Sequence, residues 1–129
     1  MVEVVAAVIR RGDQILICRR GPGGSCASLW EFPGGKRERG ETPEEGLVRE
    51  LWEELGVEAQ VGALLYETTY RYPDVEVALS FYEAAILRGT PRNLVHNKLA
   101  WVLPGELKNY AFCPADQAFL CRLAGEEQL

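Results

Sequence analysis

The 129-residue sequence predicts a mixed α/β fold, a mixed sheet held between helices. Three observations predict it. Runs of β-branched residues near the N-terminus and in the middle of the chain read as strands. Residues 42–55 carry both start and stop signals of a helix. A second helical period closes the chain at residues 114–123.

The elements follow in order. Residues 2–10 are apolar and β-branched, Arg11-Gly12-Asp13 makes a turn, and residues 14–20 return, so the chain opens on a hairpin. Gly21-Pro22-Gly23-Gly24-Ser25 forces a loop. Residues 29–32 are a short apolar piece stopped by Pro33-Gly34-Gly35, and a polar loop runs on to Glu41. In the helix at 42–55, Thr42 suits the N-cap and Pro43 the first helical position. Glu45 completes a capping box, and Gly56 stands where a left-handed C′ residue is expected. Residues 57–72 and 75–87 are two strands joined at Pro73-Asp74, and residues 99–103 are another. Residues 104–107 form one helical turn. The closing helix shows Ala115, Ala118, Phe119 and Arg122 at helical spacing.

Composition narrows the class. With 47% hydrophobic residues the chain supports a core, and residues 1–129 read as one domain, not a disulfide-stapled scaffold or a disordered tail. The net charge is −5, and eight of the nineteen acidic residues lie within residues 38–58, opposed there only by Arg39 and Arg49. The remainder is nearly balanced, which argues against binding a nucleic-acid polymer, since that needs a basic face. Cys18, Cys26, Cys113 and Cys121 make no Cys-x-x-Cys pair and are expected as free thiols in a reducing compartment. No apolar run is long enough to span a membrane, and no secretory signal opens the chain. The sequence therefore predicts a soluble cytoplasmic protein.

The acidic stretch raises the functional question. At about 100° per residue, Leu47, Val48, Leu51, Trp52 and Leu55 share an arc about 140° wide that can pack on a sheet. Glu50, Glu53 and Glu54 then fan out together on another side, where neighbours at i+3 and i+4 repel. Three glutamates on a helix are by themselves compatible with a solvated face. They are equally compatible with a divalent cation site, because magnesium takes hard oxygen ligands and is commonly shared with substrate phosphates. The Gly34-Gly35 pair just ahead of the helix favours the second reading, since glycine lets the backbone approach a ligand closely.

These residues resemble a known family. Gly35, five residues, Glu41, seven residues, then Arg49-Glu50-Leu51-Trp52-Glu53-Glu54-Leu55-Gly56-Val57 matches the Nudix box at every fixed position. Trp30-Glu31-Phe32-Pro33-Gly34-Gly35-Lys36 and the late Pro114-Ala115-Asp116 are similar to the MutT-like branch, the CTP pyrophosphohydrolase and 8-oxo-dGTP diphosphatase type. The resemblance implies an α/β/α sandwich with a central mixed sheet. It implies cleavage of a nucleoside triphosphate to monophosphate and pyrophosphate by attack at the β-phosphorus, with Mg2+ or Mn2+. The metal ligands implied are Glu50, Glu53, Glu54 and the Gly35 carbonyl, with Arg49 and Glu41 orienting helix and loop as an internal ion pair. A glutamate takes the proton from water: Glu53, with Glu50 as the alternative. Many relatives carry a further carboxylate where this chain reads Val95-His96-Asn97-Lys98, and His96 is expected at the surface.

The resemblance also places the base. Phe32, Asp116 and Arg20 correspond to the residues that flank it, and Gly34 offers backbone to the substrate. An ionised Asp116 accepts hydrogen bonds only, which is compatible with the N4 amino group of cytosine or with the N7 donor of an oxidised guanine. The expected partner is thus a small nucleotide, and the expected state a monomer, with a dimer left open. Two other functions stay in view. One is a Nudix hydrolase of a different nucleoside diphosphate derivative such as ADP-ribose; the other is a nucleotide-binding sensor, from which box glutamates would be lost.

Overall fold

The computed structural model describes residues 1–127. Its strands are β1 (Val2–Arg11), β2 (Gln14–Arg19), β3 (Trp30–Glu31), β4 (Gly34–Lys36), β5 (Glu58–Arg71), β6 (Glu76–Arg88) and β7 (Lys98–Val102). Helix α1 spans Pro43–Leu55 and α2 spans Gln117–Glu127, and two 3-10 turns cover Pro104–Asn109 and Pro114–Asp116. The sheet runs β3-β2-β1-β6-β5, with β4 on β1 and β7 on β2. β1 and β6 are parallel and the other pairs antiparallel, so the sheet is mixed as expected.

The opening hairpin is splayed. β1 and β2 pair only beside their turn, at Arg10↔Ile15 and Arg11↔Gln14. β6 takes one edge of β1 along most of its length, and β7 takes one edge of β2. The other two edges diverge, and residues 30–36 fill the fork between them. Trp30 and Glu31 pair with β2, while Gly34, Gly35 and Lys36 pair with β1. At the crossover, the Ala7 N–H donates to the Pro33 carbonyl at 2.8 Å. The sequence reading made residues 33–41 a loop throughout. The structure corrects this: Gly34–Lys36 is a strand, because the missing side chains let it lie against β1. A Cβ on Gly34 would stand 2.0 Å from the Val5 carbonyl oxygen.

β1 is buried on both faces, which explains its unbroken apolar run. On one face, Val5, Ala7 and Ile9 meet Leu47, Leu51 and Leu55 of α1. On the other, Ala6 and Val8 join Phe32, Phe81, Phe119 and Leu123, so α2 covers that side. These are two helical layers around one sheet.

α1 begins and ends as its sequence predicts. The Thr42 side chain accepts from the Glu45 N–H, the Glu45 side chain accepts from the Thr42 N–H, and Gly56 is left-handed at φ 69°. The last turn has no base of its own. Residues 92–94 serve instead: the Arg92 and Leu94 N–H groups donate to the carbonyls of Leu55 (2.9 Å) and Glu54 (3.3 Å). The buried stripe is narrower than predicted. Leu47, Leu51 and Leu55 are fully buried, but Trp52 is 62% exposed and Val48 37%. The sheet reaches only the i, i+4, i+8 row, and its neighbours at the edge of the arc overhang it.

Two smaller expectations also change. Residues 114–116 form a 3-10 turn ahead of α2 and not its first turn, and Ala118 is exposed while Ala115, Phe119 and Leu123 are buried. All four cysteines are free, as expected. No helix among the described residues is long and apolar enough to cross a membrane.

The contrast along α1 is measurable. Leu51→Ala is expected to lower unfolding free energy by about 2–5 kcal/mol. Trp52→Ala, one position on, is expected to cost less than about 1 kcal/mol. Urea unfolding of both variants checks this; equal losses would contradict the narrow stripe.

Candidate active site

The acidic side of α1 is organised by one cation. Arg49 grips Glu41 through two bonds, Nε to Oε2 at 2.7 Å and Nη2 to Oε1 at 3.1 Å. Its Nη2 also donates to the Lys36 carbonyl at 3.0 Å, and its Nη1 to Glu50 Oε1 at 3.0 Å and Glu53 Oε2 at 3.1 Å. Glu38 adds an ion pair at 3.5 Å. Glu41 in turn accepts from the Glu38 N–H at 2.8 Å. The Arg49 hydrogen bond holds the Glu41 carboxyl below the usual carboxylate range, and the Glu41 bond raises the guanidinium further. The ion pair expected between Arg49 and Glu41 is therefore present, and it joins the loop ahead of α1 to the helix itself.

Glycine makes the next contact. A Cβ on Gly35 would lie 2.5 Å from the Glu50 carboxyl carbon, so that carboxylate rests where a side chain would otherwise be. One residue earlier, the Gly34 N–H donates to Glu54 Oε1 at 3.1 Å. Burial raises the Glu50 carboxyl, and pushes Glu54 up to about 7, the latter also opposed by Glu31 and Glu50 nearby. Glu53 is the exposed member, its side chain 53% accessible.

The donor set fits a hard divalent cation. Glu50, against Gly35, and Glu54, on the Gly34 amide, are oxygen donors in surroundings that penalise their negative charge, and exposed Glu53 adds a third donor on the same side of the helix. Among the described residues, no group of three is already converged on one point. Arg49 holds two of the carboxylates and the Gly34 amide the third. An open half-site of this kind suits an ion that completes its shell with water and substrate phosphate, as magnesium does.

A cavity of about 150 Å³ begins at this backbone. Gly34 and Gly35 border it, together with Phe32, Tyr72, Cys113 and Asp116. Phe32 is at once core and lining, packed edge-on to Phe81 (5.8 Å) and Phe119 (5.4 Å). Asp116 is buried, and its Oδ2 has no partner among the described residues. Burial pushes its carboxyl up to about 8, with Glu31 opposing the charge further and a hydrogen bond from the Phe32 amide only partly offsetting this. The proton-bearing carboxyl, which both donates and accepts, is thereby favoured toward neutral pH over the acceptor-only aspartate expected from sequence.

Arg20 does not border the cavity. It donates from Nη1 to Glu31 Oε1 at 3.1 Å and from Nε to the Ser25 carbonyl at 3.0 Å. Glu31 itself does border the cavity, and its other oxygen lies 2.8 Å from His96 Nε2. His96 is therefore no surface residue: its side chain is 2% exposed, and Nδ1 has no partner among the described residues. Residues 92–94 dock on the end of α1, and the chain that follows delivers His96 inward. Sequence reasoning passed over Glu31 as part of an apolar piece. The charge between Trp30 and Phe32 was the available signal.

Comparisons with known proteins agree with this geometry. The family model described as NUDIX domain matches residues 4–122. A CTP pyrophosphohydrolase of Escherichia coli is 40% identical over 90% of this chain and 86% of its own length. An 8-oxo-dGTP diphosphatase of the same organism is 34% identical over 94% and 95%. In fold, the crystal structure of a MutT protein from Methanosarcina mazei superposes with a TM-score of 0.86 at 23% identity, covering 99% of this chain and 96% of the other. The protein is a hydrolase with a mixed α/β core. The chain belongs to the Nudix hydrolase family, in its MutT-like branch. Nudix hydrolases generally use divalent metal ions and act on small nucleotide substrates.

The state of Asp116 has a consequence for stability. Its carboxyl titrates near 8 in the fold against an ordinary 3.8, so the folded state binds the extra proton between those values. Stability therefore falls as pH rises across that window. Asp116→Asn removes the titration. The variant's melting temperature is expected to gain on wild type between about pH 4.5 and pH 8.5. A difference that stays constant with pH, followed by circular dichroism, would contradict the buried carboxyl.

Proposed function

We propose that this protein is a metal-dependent pyrophosphohydrolase converting a nucleoside triphosphate, dCTP/CTP-like or oxidised dGTP, to monophosphate and pyrophosphate. The observation that carries the reading is the shared border of two features. The Gly34-Gly35 backbone touches the carboxylates of α1 on one side and opens the cavity containing Asp116 on the other. A triphosphate lying along that backbone has its phosphates beside the acidic helix and its base in the cavity.

Each residue then has a task. Glu50, Glu53, Glu54 and the Gly35 carbonyl hold Mg2+ or Mn2+, which supplies neutralisation of phosphate oxygens and makes water more acidic. Arg49 and Glu41 fix the helix against the loop. Glu53, the most accessible of the three glutamates, takes the proton from the attacking water, with attack at the β-phosphorus; Glu50 is the alternative. Carboxylates this close titrate as a set.

At the base end, Phe32 supplies an apolar wall and protonated Asp116 a donor beside an acceptor. Cytosine presents N4–H beside the N3 acceptor, and an 8-oxo-purine with guanine's carbonyl presents N7–H beside O6. Both match the pair, in keeping with relatives named for CTP and for 8-oxo-dGTP. Arg20 acts here through Glu31 and not by direct contact.

The test is pyrophosphate release from natural and oxidised nucleoside triphosphates, with ADP-ribose included, with and without magnesium. Release from dCTP or 8-oxo-dGTP that vanishes on chelation is expected; turnover without any divalent ion would overturn the mechanism. Glu53→Gln is expected to lower kcat at least about a hundredfold, as for loss of a general base. Asp116→Ala, which removes donor and acceptor together, is expected to raise KM for both dCTP and 8-oxo-dGTP, while Asp116→Asn, which keeps the pair, is expected to preserve their ranking; an unchanged KM in Asp116→Ala would remove Asp116 from base recognition.

A further inference from the structure

Two cysteines that the proposed chemistry does not use line the proposed base cavity. Cys26 sits in the loop at residues 21–28, is part exposed, and has a left-handed backbone at φ 54°. Cys113 is buried and stands just before the 3-10 turn that carries Asp116. Both border the cavity. A single hydroxyl ties the two segments: Tyr72 Oη lies 3.7 Å from Cys26 Sγ and accepts from the Ala115 N–H at 3.3 Å. Cys26 Sγ and the Ala115 N–H, two residues beyond Cys113, thus meet at one hydroxyl, and both cysteines open on the same cavity.

From this juxtaposition we infer that Cys26 and Cys113 form a peroxide-sensitive thiol pair, whose disulfide ties the 21–28 loop across the cavity and shuts out the base. The chemistry balances with a hydroperoxide as oxidant. The Cys26 sulfur attacks the peroxide, giving a sulfenic acid and releasing water or an alcohol. The Cys113 sulfur then attacks the Cys26 sulfur, forming the S–S bond and releasing water. Two thiols are oxidised by two electrons and one O–O bond is reduced.

The geometry assigns the order. Cys26 is the accessible thiol, and access governs which sulfur meets the oxidant first. Cys113 is buried, so the oxidant reaches it less readily than Cys26, and it serves as the second, resolving thiol. The other two thiols have no such neighbour: Cys18 is sealed in the core on β2, and Cys121 lies exposed on α2. The loop can move to complete the bond. Its ties include Ser28 N–H to the Gly21 carbonyl, Leu29 N–H to the Cys26 carbonyl and Arg20 Nε to the Ser25 carbonyl, so closure breaks a small set of turn bonds. A cross-link between positions so distant in sequence also constrains the unfolded chain strongly.

The gating half of this inference rests on the cavity being the base site; the cross-link itself does not. The experiment treats the reduced full-length protein with hydrogen peroxide, blocks remaining thiols and maps a non-reducing digest by mass spectrometry. A peptide linking Cys26 to Cys113 is expected, removed by dithiothreitol and absent in both Cys26→Ser and Cys113→Ser. Melting temperature is expected to rise by about 5 °C on oxidation of wild type and to stay unchanged in the two variants. KM for the preferred triphosphate is expected to rise about tenfold or more, reversibly, while the serine variants keep theirs through the treatment. A digest showing Cys26 oxidised but unlinked, or linked through Cys18 or Cys121, would overturn the pair. A linked protein with unchanged KM would overturn the gate. Mapping and melting need no turnover, so a wrong substrate assignment cannot be mistaken for a wrong pair.

Discussion

The close approach of helix α1 to strand β4 is the constraint on which the site depends. Two glycines make it. Gly34 has the Val5 carbonyl where its side chain would be, and Gly35 has the Glu50 carboxylate. With β-carbons at either position, the strand would lift from β1 or the helix from the strand. The bond from the Gly34 amide to Glu54 would go with them. Packing alone would not hold an acidic helix there, since its carboxylates repel one another at i+3 and i+4. Arg49 offsets this by bonding Glu41, Glu50, Glu53 and the Lys36 carbonyl at once. The planar guanidinium with its several donors can do this; a lysine, a single point charge, cannot.

The carboxylate half of the candidate site was legible because its determinants are local. Capping box, C′ glycine, carboxylate spacing and the glycine pair all lie within residues 34–57, and each has a short-range physical signature. What the sequence concealed was long-range. β4 reads as a loop because glycine has low strand propensity, and only the groove beside β1 makes it a strand. Trp52 belongs to the apolar arc by angle, yet the sheet is too narrow to cover it. His96 looks like a surface residue until residues 92–94 bind the end of α1 and turn it toward Glu31.

Asp116 shows a subtler failure. Its identity and place at the start of the closing helical segment were readable, but its charge was not. That depends on burial among Phe32, Glu31 and the cavity wall, which come from other parts of the chain. A carboxyl that keeps its proton is a different hydrogen-bonding group from one that has lost it. The hydrogen-bonding character of Asp116 is thus set less by the residue type than by the solvent kept from it.

The splayed hairpin separates the two halves of the site in folding time. β1, β4 and α1, which gather the carboxylates, lie within the first 55 residues and need only short loops to close. The cavity needs β6, which pairs in parallel with β1 so that Val2 faces Val77, and then the turn at Pro114–Asp116. Contacts of such sequence separation form slowly, and during synthesis they wait for the far end of the chain. A nascent chain can therefore bring its acidic helix against β4 before the cavity that holds Asp116 is closed.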